Sequence, residues 1–107
     1  MKYVGLRTGS WSAEGLVLTE SFLERFRGVN LSAAARGVVI RCSAVHTMGM
    51  SGAIETVAVD RQGRVVEART LAPNRFAWFR GARYLVELPG GTDVPEVGSV
   101  VEVTHVG

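Results

Sequence analysis

The residues best equipped for chemistry fall in two short stretches. The first runs from Cys42 to Met50 and holds Cys42, His46, Met48 and Met50 within nine residues. Thiolate, imidazole and thioether are soft or borderline ligands, a set that suits Cu(I). Zinc ranks below copper, since structural zinc usually needs four good nitrogen or sulfur ligands, to which His105 could add one. Buried Met and Cys are also ordinary core fillers. Packing is therefore the preferred reading, with no metal or cofactor assigned and Cu(I) binding kept as an alternative. Glu55 follows His46 by nine residues. A carboxylate beside an imidazole fixes its tautomer and makes a general acid or base. The same pair equally ties a loop to a strand, because buried polar groups need partners. Cys42 with His46 has the residue types of a nucleophile and its base, but a thiol just after an apolar strand is expected to be buried and inert.

The second stretch is Asn74-Arg75-Phe76-Ala77-Trp78-Phe79-Arg80. Arg75 and Arg80 flank three aromatics. Arg and Trp are frequent anchors of interfaces, and rings interleaved with cations can stack single-stranded nucleic acid. The preferred reading is a loop whose aromatics plug one end of a barrel, ahead of a partner or ligand surface, with nucleic acid last. Gly90-Gly91 and Gly49 with Gly52 match neither a Walker loop nor a strand–GxGxxG–helix setting, and read as turn residues.

The elements that must position these residues are mostly strands. Of 107 residues, 17 are Val and 26 are β-branched, side chains that fit a pleated sheet. Residues 2–7, 14–19, 37–41, 54–60, 64–70, 83–88 and 99–104 read as short strands. Residues 42–52 read as a loop, 72–82 as irregular and 30–36 as ambiguous. Alternation in 54–60 sets Glu55, Val57 and Val59 on one face, placed toward the core, and Ile54, Thr56 and Ala58 on the other. Asp60-Arg61-Gln62-Gly63 is a hairpin turn. Ser21 and Glu24 have the spacing of a capping box. With Phe22, Leu23 and Phe26 on one face and Gly28 as a stop, they predict a helix of about two turns. The expected fold is α+β and predominantly β. It has about seven short strands in a mixed or antiparallel, barrel-like sheet with one short helix, in a single domain spanning 1–107.

Composition narrows the function classes. Hydrophobic residues make up 47% and charged residues 21%, which excludes a disordered tail. One Cys excludes an internal disulfide. There is no apolar run of the ~20 residues a membrane span needs, and Met1–Arg7 lacks the apolar core of a signal peptide. A cytoplasmic protein with no membrane partner is expected. The 12 basic and 10 acidic side chains give net +2 and a pI near 9.2. Eleven of the basic residues are Arg, scattered among acids rather than massed in a block. Arg83 with Glu87 and Arg69 with Glu67 lie on shared strand faces and read as solvated charge pairs.

The order of motifs resembles a known family, the bacterial, archaeal and plant proteins grouped as domain of unknown function 192. Four stretches carry the resemblance: LERFRGV at 23–29, CSAVHTMGMSGAIETVAVD at 42–60, GRVVEA at 63–68 and GARYLVELPGG at 81–91. With SVVEV at 99–103, it spans about residues 16–103. Met48 stands where the family usually has an aromatic, Ala53 where Pro is common and Glu55 where Asp is common. The resemblance implies a β-rich α+β fold and no activity.

The leading functional reading is a non-enzymatic module that binds a small molecule or a protein through His46, Glu55, Arg75, Trp78 and Arg80. It requires 42–52 and 74–82 to meet, with His46 and Arg75 within about 15 Å, the scale of a small-molecule pocket. The alternatives are a hydrolase-like enzyme using His46 and Glu55, and Cu(I) binding through Cys42, His46, Met48 and Met50.

Overall fold

The computed structural model describes residues 2–19 and 36–107. Stiff β-branched side chains occur in eight of the nine strands that form among them. These are β1 (Lys2–Thr8), β2 (Trp11–Thr19), β3 (Val38–Ile40), β4 (Ala44–His46), β5 (Ile54–Val59), β6 (Val65–Leu71), β7 (Phe76–Trp78), β8 (Tyr84–Pro89) and β9 (Glu102–Val106). Seven form one sheet in the order β6-β5-β8-β3-β2-β1-β9, and β4 and β7 form a separate two-stranded sheet. Every pairing is antiparallel except β2 with β3, which is parallel. The helix expected from Ser21, Glu24 and Gly28 lies outside the described residues, and no helix is found within them.

The hairpins follow from turn chemistry. Gly9, at φ +55, lets β1 turn into β2 over two residues, with Thr8 opposite Trp11. The strands expected at 2–7 and 14–19 thus lengthen toward each other, leaving only Gly9 and Ser10 between them. The β5–β6 hairpin forms where expected. Asp60 Oδ1 accepts the amides of Gln62 and Arg64, each at 2.9 Å, and Gly63 supplies the positive φ of +81.

The large sheet does not close into a barrel. Residues 98–101 touch the start of β6 through one bridge, Arg64 with Val100. Val65 donates to the Ser99 carbonyl there at 2.8 Å. From Glu102 onward the chain runs along β1 instead, with Arg7 opposite Glu102. The corner is stitched, and β6 and β9 remain the two edges.

Both faces of the central strands are covered. Val57 and Val59 join Leu6, Leu16, Val39, Val86 and Leu88 in one core cluster. Ile54 and Ala58 join Val45, Ala77, Phe79 and Leu85 in another. The β4–β7 sheet therefore forms a second layer over the Ile54/Ala58 face. The expectation of a single core face on β5 is corrected: 54–59 is buried on both sides apart from Glu55. Glu87 is corrected as well, being 0% exposed. It lies opposite Val38 and Thr56 in the middle of the sheet, whereas Arg83 is exposed. The apolar run on both sides of Glu87 in β8 is the pattern of a strand covered on two faces.

Candidate functional site

The two chemically distinctive stretches meet as a strand pair. Ala44 faces Trp78, Val45 faces Ala77 and His46 faces Phe76. Directly opposed residues share a face, and successive residues alternate. Val45 and Ala77 consequently point inward and are buried. Ala44, His46, Phe76 and Trp78 share the outer face. Phe76 is 72% exposed and Trp78 60%, with Met48 beyond them at 61%.

Thr47 clamps this layer. It is fully buried, its hydroxyl donates to the Ala72 carbonyl at 2.7 Å and accepts the Arg75 amide at 2.8 Å. Its own amide donates to the Arg75 carbonyl at 2.8 Å. Asn74 adopts φ +60, a left-handed conformation that Asn tolerates. Its Oδ1 accepts the Gly49 amide at 3.0 Å. These bonds join the turn after β4 to the turn before β7 and hold His46 next to the Phe76 ring. The requirement that 42–52 meet 74–82 is met, with Arg75 bonded to the neighbour of His46.

Phe79 ends the segment differently. Its amide donates to the Ser43 carbonyl at 2.7 Å, and its ring is fully buried among Val45, Ile54 and Leu85. The Arg69 guanidinium lies 4.6 Å from the ring centroid, within cation–π range, and also pairs with Glu67. The three aromatics were expected to plug one end of a barrel; with no barrel formed, only Phe79 enters the core. Phe76 and Trp78 face away from it because strand alternation reverses them relative to Ala77.

Glu55 does not join His46. It shares the Val57/Val59 face of β5, opposite the face that β4 covers. Its Oε2 accepts the Gly91 amide at 2.7 Å, and its Oε1 accepts the Thr70 hydroxyl. The carboxylate fastens the turn after β8 to β6. His46 is half-buried, and its Nδ1 accepts the Met48 amide at 3.2 Å. The four soft ligands are divided too. Cys42 and Met50 pack against the core, the Cys42 thiol donating to the Ala44 carbonyl at 3.1 Å, while Met48 is exposed. Among the described residues no group of three or more His, Cys, Asp or Glu is placed to hold a metal ion.

The charged side chains of the two paired segments are all of one sign. Segments 41–53 and 72–84 contain Arg41, Arg75, Arg80 and Arg83, all exposed, and none of the ten acidic residues. Sequence reasoning singled out Arg75, Trp78 and Arg80 but missed Thr47 and the acid-free character of the paired segments. That last signal becomes visible only once the pairing is known. No family model, curated protein or solved structure matches the chain.

Proposed function

We propose that the chain is a non-enzymatic binding module whose outer β4–β7 face takes a small-molecule or protein partner. One observation carries this reading: Phe76 and Trp78 stand exposed side by side with His46 on a face fixed by the Thr47 and Asn74 bonds. Exposed rings on a rigid backbone provide large contact area at low entropic cost. Arg75 and Arg80 at the two ends of β7 add donors for an anionic group. Glu55 leaves the proposed site and is a positioning group elsewhere in the fold.

Membership of the domain of unknown function 192 family is part of the same proposal. Its motifs at 42–60, 63–68 and 81–91 fall on β4 and β5, the start of β6, and β8. A cytoplasmic location also belongs to it, in keeping with a sequence whose single cysteine builds no disulfide framework. Among the described residues no helix is long and apolar enough to cross a membrane.

The test is amide shift mapping of the ¹⁵N-labelled chain with a library of aromatic carboxylate fragments. Shifts are expected to concentrate on His46, Arg75, Phe76, Trp78 and Arg80. Shifts concentrated elsewhere, or none at all, would overturn the reading.

A further inference from the structure

The β4–β7 sheet has two outer edges, and they differ. The bonds from Thr47 to Arg75 and from Phe79 to Ser43 mark 47 with 75 and 43 with 79 as hydrogen-bonded pairs. By the alternation of an antiparallel ladder, 45 with 77 is the next such pair. The backbone groups of Ala44, His46, Phe76 and Trp78 then point away from the partner strand. On the β4 edge the Ala44 carbonyl is occupied by the Cys42 thiol. On the β7 edge, the amides and carbonyls of Phe76 and Trp78 have no hydrogen-bond partner among the described residues. This edge therefore offers two donors and two acceptors, on residues about 6.6 Å apart. Such an edge is a template for another chain.

Resting on the binding-module reading, we infer that the partner is an acidic, extended peptide segment that adds as a third strand along β7. Its backbone pairs with Phe76 and Trp78, and alternate side chains lie over their rings. The charges select its sign. Arg75 and Arg80 flank β7, and neither paired segment, 41–53 or 72–84, carries an acidic residue, so carboxylates complement them and cationic peptides are repelled. Single-stranded nucleic acid would also use the rings and arginines. It has no use for alternating amide donors and carbonyl acceptors along a strand edge, and a peptide backbone matches both.

The experiment pans a random dodecapeptide display library against the full chain, with counter-selection on the Phe76→Ser/Trp78→Ser variant. Enriched peptides are expected to alternate Asp or Glu with apolar residues. Backbone N-methylation at alternate positions of the best peptide is expected to weaken binding about tenfold, since it removes the strand bonds. Arg75→Glu/Arg80→Glu is expected to weaken it by about tenfold as well. Neutral or basic consensus peptides, or N-methylation without effect, overturn the inference. Tighter binding of oligothymidylate than of the best peptide to the same face also overturns it, in favour of nucleic acid. If aromatic carboxylates shift the His46, Phe76 and Trp78 amides but no peptide is enriched, the peptide inference falls and the module stands. If the fragments shift nothing on this face, the module reading itself falls.

Discussion

The Thr47 hydroxyl accepts the backbone N–H of Arg75 at 2.8 Å while donating to the carbonyl of Ala72 at 2.7 Å. A single buried side chain thereby fixes the start of β7 against the end of β4. Thr47→Val keeps the shape and deletes both bonds, leaving a buried amide and carbonyl without that partner. Stability is expected to fall by about 1–3 kcal/mol in urea unfolding, and amide exchange in 74–78 to accelerate. Thr47→Ser is expected to restore most of the loss. Equal stability of Thr47→Val and wild type would show that the clamp is incidental.

Phe79 and Phe76 lie three residues apart on opposite sides of the layer. Phe79→Ala empties a fully buried site and removes the ring beneath Arg69, so a loss of about 3–5 kcal/mol is expected. Phe76→Ala and Trp78→Ala change exposed rings and are expected to stay within about 0.5 kcal/mol of wild type. Calorimetry of the three variants checks the contrast, and comparable losses at Phe76 and Phe79 would contradict the assigned faces.

Glu55 holds the 89–92 turn through Gly91 and holds β6 through Thr70. Glu55→Ala is expected to cost about 1–2 kcal/mol and to leave the ¹H–¹³C shifts of the His46 imidazole unmoved. A changed His46 ring spectrum with unchanged stability would revive a His46–Glu55 pair.

Burial pushes the Tyr84 phenol above its ordinary value, and the nearby Asp60 carboxylate pushes in the same direction. The folded chain therefore keeps this proton to higher pH than the unfolded chain. The associated stability is whole below the unfolded value near pH 10 and is lost as pH rises through the folded one. Tyr84→Phe has no such loss. Its unfolding midpoint is expected to gain on wild type between about pH 9 and pH 11. A constant difference across that range would mean that Tyr84 titrates normally.

The scaffold was largely legible from local signals. Alternation in 54–60, the Asp60–Gly63 turn and the return strand at 64–70 specify the β5–β6 hairpin, because each depends on near neighbours. The second layer was not legible. Ala44–His46 and Phe76–Trp78 are each three residues long, too short for a period to show, and they pair across some thirty residues of chain. The barrel-like curl failed for a related reason, since β9 chose β1 over β6 and that choice is tertiary. The same long-range pairing decides the site. Arg75, Trp78 and Arg80 stood out by type, but the inward turn of Phe79 and the departure of Glu55 to the opposite face of β5 depend on which layer covers which side.

The most direct measurement compares wild type with Phe76→Ser/Trp78→Ser for binding the aromatic carboxylate that gives the largest amide shifts, with urea unfolding run alongside. The double variant is expected to bind at least about tenfold more weakly, as loss of two anchor rings requires, with its unfolding midpoint unchanged. Undiminished binding by the folded double variant would contradict the assignment of the β4–β7 face as the binding surface.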